Sequence, residues 1–90
     1  HLANRRDGNK WLVIELKKAQ TSDATVGQVL RYMGWVRRNL AGGGEVQGLI
    51  VCQDVDKRLQ YALDEQPNIR CVTYEVSFAL NTVPKLLTEE

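Results

Sequence analysis

A carboxylate and an ammonium group lie two positions apart in an otherwise apolar segment, and they are the first candidates for chemistry. The segment runs from Trp11 to Lys18 (WLVIELKK), and its large aliphatic residues predict a mostly buried β-strand. Because side chains alternate between the two faces of a strand, Glu15 and Lys17 share one face, opposite the neighbouring aliphatic residues. Moving two charges out of water costs about as much free energy as their attraction provides. Two aliphatic residues would therefore stabilise a core better. The pair is therefore a candidate site.

The composition of the chain limits the functions that this site can have. The chain has 90 residues, of which 43% are hydrophobic and 26% are charged, as is ordinary for one small globular domain. Its net charge of +1 means that nucleic-acid binding would have to come from local clusters of basic residues. We find no segment apolar enough to span a membrane and no signal sequence, so a cytoplasmic location is expected.

The two cysteines and the single histidine offer little for a metal or redox site. Cys52 and Cys71 lie in separate apolar segments without CxxC spacing, which predicts buried free thiols. His1 is the only histidine, and it is interpreted as a tag remnant or an accident of where the sequence starts.

A β-hairpin is predicted before the central strand, with its turn in Asp7-Gly8-Asn9. If Asp7-Gly8 is a two-residue turn, Arg5 faces Lys10, and the position just before His1 faces Glu15. A three-residue turn would place His1 itself opposite Glu15. Since the sequence starts in mid-strand without an initiator Met, we expect a fragment of a longer protein.

An amphipathic helix is predicted after the central strand, with Ser22 or Asp23 as its N-cap and the glycines at 42–44 as its end. Its apolar positions recur at helical spacing, and they are Val26, Val29, Leu30, Met33, Val36 and Leu40. Gly27 and Gly34 share nearly one face, which predicts a close approach of the helix backbone to the sheet. Gln28 and Tyr32 share another face beside the apolar one.

The rest of the chain alternates strand and helix, which predicts crossover connections and parallel strands. Gly48 to Cys52 is a continuous apolar run, typical of a strand buried on both faces. Asp54 or Asp56 is predicted to cap a short helix with Leu59, Ala62 and Leu63 facing inward. A final strand is predicted from Ile69 to Leu80. We assign residues 1–80 to one domain and residues 81–90 to a tail, either a helical turn or an arm.

The order of these motifs resembles a known nuclease family. Trp11 to Lys17 resembles the second half of the PD-(D/E)XK motif, and Val26 to Val36 (VGQVLRYMGWV) is similar to the nuclease domain of the NucS/EndoMS mismatch-specific endonucleases. The resemblance continues through Gln47 to Val51, Arg58 to Leu63 and Tyr74 to Val76. A Glu-x-Lys strand followed at this distance by a Gln-x-x-x-Tyr helix is much more specific than Glu-x-Lys alone. The resemblance implies an α/β fragment of the restriction-endonuclease-like fold, with a mixed central sheet (a β-hairpin, then β-α-β-α-β) and flanking helices.

The resemblance also implies a metal-dependent DNA endonuclease that acts in DNA repair on mismatched or branched DNA. Glu15 and the backbone carbonyl of Leu16 would bind Mg²⁺ or Mn²⁺, since hard oxygen ligands suit these ions. Lys17 would orient or activate the attacking water and stabilise charge on the phosphate. Gln28 and Tyr32 match the helix residues that support the site in this family.

One expected ligand of this family is missing from the sequence. The family needs an Asp on the strand before Glu-x-Lys, eight residues ahead of such a turn glycine, and this spacing points one place upstream of His1. We therefore expect the metal-binding Asp just before the first residue. The family's preceding strand and helix, and its separate amino-terminal DNA-binding domain, are also absent from these 90 residues.

Other interpretations of the same residues stay open. Lys18, Arg31, Arg37 and Arg38 are predicted DNA contacts, although the arginines also suit a solvated helix face and the helix dipole. Glu15 and Lys17 could form an exposed ion pair at a sheet edge. A non-catalytic nucleic-acid-binding module that has lost the Asp is the alternative function. DNA is the expected partner, and a homodimer is a further predicted assembly.

Overall fold

The computed structural model describes residues 2–87, with side chains described from residue 7 onward. His1 and residues 88–90 of the predicted tail lie outside the described residues. The expected order, a hairpin followed by β-α-β-α-β, is confirmed. The elements are β1 (Leu2–Asp7), β2 (Lys10–Leu16), α1 (Ala24–Asn39), β3 (Glu45–Cys52), α2 (Lys57–Asp64) and β4 (Ile69–Thr73).

The four strands form one mixed sheet in the order β1-β2-β3-β4. β1 runs antiparallel to β2, whereas β2, β3 and β4 are parallel to one another. The parallel pairs need crossovers, and α1 and α2 provide them. Residues of both helices and of the strands form a single buried cluster, so both helices pack on one face of the sheet.

The register of the hairpin differs from both predicted versions. Asp7 pairs with Lys10 and Leu2 pairs with Glu15, so the turn is Gly8-Asn9. The prediction that His1 or the position before it faces Glu15 was wrong. Gly8 adopts a φ of 62°, which only glycine tolerates without strain, and this fixes the turn one residue later than expected.

The two faces of the sheet are buried to different extents. On the helix side, hereafter the covered face, the strand side chains are buried, and they include Val13, Glu15, Val46, Ile50, Cys52 and Ile69. On the opposite or open face, the side chains are only partly buried, and they include Leu12, Ile14, Leu16, Leu49 and Val51. The prediction that β3 is buried on both faces was therefore wrong for its open face.

Helix α1 buries a narrower stripe than predicted. Its buried residues are Thr25, Val26, Val29, Met33 and Val36. Leu30 is 37% exposed and Leu40, beyond the end of the helix, is 44% exposed, so their assignment to the stripe was wrong. Asp23 is the N-cap residue, but within the described residues its side chain makes no capping hydrogen bond. The first turn is instead closed by a backbone bond from Thr25 N–H to Ser22 O (3.0 Å).

Close approach of α1 to the sheet depends on Gly48 and not on the two helix glycines. A Cβ atom at Gly48 would lie 2.8 Å from Val29 Cγ1 and 2.9 Å from Met33 Sδ, closer than packed atoms allow. Gly27 and Gly34 are exposed, and a Cβ atom there would meet nothing within 4 Å. The prediction that these two glycines face the sheet was wrong.

Helix α2 and the end of β4 complete the described part of the chain. Asp56 caps α2, as predicted for Asp54 or Asp56, because its Oδ1 accepts a hydrogen bond from Leu59 N–H (2.8 Å). β4 ends at Thr73, so its predicted extension to Leu80 was wrong. Residues 74–87, hereafter the C-terminal arm, carry exposed apolar side chains such as Phe78 (86% exposed). None of the helices in the described residues has the length and apolar character that crossing a membrane requires.

Candidate active site

Glu15 is the one carboxylate among the fully buried side chains of the described residues, and it is 0% exposed. It lies near the carboxyl end of β2, where it pairs with Ile50 of β3. Burying an ionised carboxylate costs several kcal/mol or more unless a cation or hydrogen bonds compensate it. A position that carries Glu where its neighbours Val13 and Ile50 are aliphatic is therefore a functional candidate and not a packing choice.

Lys17 follows the last residue of β2 and is half-buried. If the alternation of side chains along β2 continues for one more residue, Lys17 shares the covered face with Glu15, and this stays a prediction. Its N–H continues the sheet by donating to Val51 O (2.8 Å). A lysine at this position can pack its aliphatic stem beside the sheet while its ammonium group reaches the solvent. The carboxyl edge of parallel strands is also where α/β sheets bind their ligands.

Helix α1 packs on the covered face of the sheet. Val29 and Met33 lie over Gly48, which is two residues before Ile50, the partner of Glu15. Because α1 runs back from the carboxyl edge of β2, the helical turn before Val29 lies closer to that edge. Glu15 lies toward the same end of β2.

The predicted helix residues lie on this part of α1. Gln28 is half-buried in the first half of α1, and Tyr32 is 37% exposed four residues later, about 6 Å farther along the helix. Glu15, Lys17 and Gln28 therefore all lie toward the carboxyl ends of the parallel strands, and their assembly into one site stays a prediction. Tyr32 flanks this group along the helix.

The predicted basic residues are divided between the two ends of the sheet. Lys18 is exposed directly beside Lys17, and Arg31 is exposed near the middle of α1. Arg37 and Arg38 lie in the last turn of this 16-residue helix, which is about 24 Å long. They are therefore at the far end of the helix from Lys17, and the structure does not bring them to the same edge.

A cleft of about 440 Å³ opens at the same edge as Lys17. It is lined by residues of two loops, after β2 and after β3, and these include Lys18, Gln20, Thr21, Gln53 and Asp54. Thr21 is only 5% exposed, and its Oγ1 has no hydrogen-bond partner among the described residues. Neither Thr21 nor the cleft was predicted, because no local pattern shows that these two loops meet.

Tyr74 is a second residue that the sequence analysis did not assign to the site. Its hydroxyl donates a hydrogen bond to the backbone carbonyl of Lys17 (3.2 Å). The two residues are 57 positions apart, so no helix or strand periodicity could link them. The one available signal was that Tyr74 falls within a segment of the family resemblance.

The two cysteines meet on the covered face. Cys52 Sγ and Cys71 Sγ lie 3.6 Å apart, although they are distant in sequence. Both are free thiols, as predicted, and Cys52 is buried while Cys71 is half-buried. Burial, followed by the hydrogen bond and charge of Cys52, raises the pKa of Cys71 to about 11. Cys71 therefore stays protonated at neutral pH.

The described residues agree only in part with the expected divalent metal. The Glu15 carboxylate and the Leu16 carbonyl are hard oxygen donors of the type that Mg²⁺ and Mn²⁺ prefer. The described residues contain no group of three or more His, Cys, Asp or Glu side chains that could hold a metal ion. The donor type fits, and Glu15 is the one carboxylate we assign to the site.

Comparison with protein families gives a match over nearly the whole chain. The model of the endonuclease NucS C-terminal domain matches residues 2–83. Neither the curated proteins nor the solved structures give a significant match. The family match confirms the resemblance and the α/β nuclease-like fold. It gives the chain an endonuclease-related function that involves DNA.

Proposed function

Because this chain belongs to the endonuclease NucS C-terminal domain family, we propose that the carboxyl edge of its sheet hydrolyses phosphodiester bonds in DNA with a divalent metal ion. The observation that carries the proposal is the fully buried Glu15 near the carboxyl end of β2, two residues before the half-buried Lys17. Mismatched or branched DNA is the proposed substrate, on the resemblance described above. A role in DNA repair, a homodimer and a cytoplasmic location stay predictions.

Each residue at this edge has a role that its position supports. Glu15 and the Leu16 carbonyl would hold Mg²⁺ or Mn²⁺, and a bound ion would polarise the phosphate and lower the pKa of its water. Lys17 stabilises the negative charge that develops on the phosphate, because its ammonium group can reach the edge from a fixed backbone. Gln28 supports the site from its position on α1.

The surrounding residues extend the DNA-binding surface outward from the site. Tyr32 supports the DNA backbone next to Gln28, and Lys18 and Arg31 contact neighbouring phosphates from exposed positions. Arg37 and Arg38 would contact phosphates only if the DNA followed α1 to its far end. Their contribution would then be to affinity and its salt dependence, and not to the chemical step.

The test is DNA cleavage by the natural full-length protein that contains these residues. We expect cleavage with Mg²⁺ or Mn²⁺ and none after chelation with EDTA. Lys17→Met keeps the aliphatic stem and removes the charge, so it should lower the cleavage rate by about 10³-fold or more while the melting temperature changes little. Lys57→Met, at an exposed position in α2, is the matched control and should cleave like the wild type.

Two outcomes would contradict the proposal. Cleavage retained by Lys17→Met would mean that the Glu15 and Lys17 pair is structural. DNA binding by the wild type without cleavage in either metal would identify the alternative, a non-catalytic nucleic-acid-binding module.

A further inference from the structure

The backbone N–H and the backbone carbonyl of Lys17 are both hydrogen-bonded, although the residue lies beyond the last residue of β2. Its N–H donates to Val51 O of β3 (2.8 Å), as a continuation of the sheet. Its carbonyl accepts a hydrogen bond from the Tyr74 hydroxyl (3.2 Å), which is a contact from outside the sheet. The first bond continues the strand pairing, whereas the second depends on one side chain.

Tyr74 is itself fixed to the end of β3. Its N–H donates to Cys52 O (2.9 Å), the carbonyl of the last residue of that strand. Tyr74 directly follows Thr73, the end of β4, and β3 lies between β4 and β2. The centres of β4 and β2 are therefore about 10 Å apart, a distance that a tyrosine side chain can help to bridge but most side chains cannot.

We propose that Tyr74 is a positioning residue for Lys17 and that its hydroxyl fixes the backbone from which the ammonium group projects. This inference rests on the proposed function, since it needs Lys17 to act at the phosphate. The bond fixes the orientation of the Lys17 carbonyl, and so the direction in which the chain leaves the strand. A lysine side chain has four rotatable bonds, so a fixed backbone limits the positions that its ammonium group can occupy. Misplacing a catalytic group by about 1 Å can slow a reaction about 10²-fold.

The test is Tyr74→Phe in the natural full-length protein, because this change removes only the hydroxyl and keeps the ring. We expect kcat for DNA cleavage to fall 5-fold to 20-fold while KM stays within twofold of the wild type. The melting temperature should change by less than about 2 °C, because a single partly buried hydrogen bond contributes little to stability. Tyr61→Phe is the matched control, since Tyr61 is 66% exposed on α2, and it should match the wild type in kcat and KM.

A double variant separates positioning from an independent effect. If Tyr74 acts through Lys17, adding Tyr74→Phe to Lys17→Met should cause no further loss of kcat, because the group to be positioned is already absent. A merely structural role would instead lower kcat by the same factor in both backgrounds. It would also lower the melting temperature together with kcat.

The possible failures are distinguishable. If the wild type does not cleave DNA with Mg²⁺ or Mn²⁺, the proposed function fails and this inference fails with it. If the wild type cleaves and Tyr74→Phe retains the wild-type kcat, the inference alone is overturned. A raised KM with unchanged kcat would also overturn it, because Tyr74 would then be a DNA contact.

Discussion

The covered and open faces of the sheet differ in burial. This difference does not follow from how apolar the residues of each face are. On β2, the open face carries three aliphatic residues, Leu12, Ile14 and Leu16, and all are half-buried. The covered face carries Trp11, Val13 and Glu15, of which Val13 and Glu15 are 0% exposed. In the second half of β2, the carboxylate therefore lies on the more buried face and the aliphatic residues lie on the less buried one.

This difference indicates that the buried residues of the covered face do more than form the core. Toward the amino ends of the strands, Gly48 lets Val29 and Met33 of α1 pack directly on the sheet. Toward the carboxyl ends of the strands, the same face carries the buried carboxylate of Glu15. An aliphatic residue in place of Glu15 would pack without the cost of burying a polar carboxyl group, so a glutamate at this position indicates a function at this end. The covered face thus has a packing region and a site region under one helix.

Two substitutions in α1 should separate these two regions, and their effects are the largest that we expect from the comparison. Met33 is 2% exposed in the packing region, so Met33→Ala should lower the free energy of unfolding by about 2 to 5 kcal/mol. The fraction that stays folded should retain activity. Gln28→Ala, in the site region, should cost little stability and lower DNA cleavage by about 10-fold to 100-fold, equivalent to about 1.4 to 2.8 kcal/mol.

A thermal melt and a cleavage assay on both variants provide the measurement. The opposite result, in which Gln28→Ala unfolds the domain and Met33→Ala leaves its melting temperature unchanged, would show that the site region and the packing region are wrongly assigned. The proposed site would then lose its support from α1.

Two glycine substitutions test the packing region. Their effects on the free energy of unfolding should be of intermediate size and opposite in sign. Gly48→Ala places a methyl group against Val29 and Met33, so it should destabilise the fold by about 1 to 3 kcal/mol. Gly34→Ala is the matched control within α1, where a Cβ atom meets nothing within 4 Å. It should stabilise the helix by up to about 1 kcal/mol. Denaturant unfolding measures both, and equal signs for the two variants would contradict the assignment of Gly48 as the close contact.

Local sequence patterns predicted most of the fold, because strand alternation and helical spacing are properties of neighbouring residues. They also predicted that Glu15 and Lys17 share a face. The hairpin register was missed because glycine can begin or end a two-residue turn, and the choice of Gly8-Asn9 shifts every partner of β1. The helix glycines were misplaced because their spacing shows that they share a face but not which side that face meets.

Other features of the site depend on contacts that no local pattern records. The Tyr74 hydroxyl reaches Lys17 across the end of β3, and this contact follows from the order of the strands. The cleft beside Lys18 forms where the loops after β2 and β3 meet. The thiols of Cys52 and Cys71 come together because β3 and β4 are neighbours. Each of these three features forms only when the strands are assembled into the sheet.

Near neutral pH the thiol pair has the smallest expected effect on the covered face, because its contribution to stability appears only at high pH. Because burial raises the pKa of Cys71 to about 11 from an ordinary value of 9.0, the unfolded chain releases its proton first as the pH rises. The folded state then binds more protons than the unfolded state, so stability should fall between about pH 9 and pH 11 and be unaffected by this thiol below pH 9. In Cys71→Ala this part of the decline should be absent, so its unfolding free energy should fall less steeply than that of the wild type over this window. Val72→Ala, at the adjacent open-face position with 45% exposure, should keep the wild-type slope. Parallel slopes for wild type and Cys71→Ala would show that the thiol titrates alike in both states, and that the covered face does not shield it.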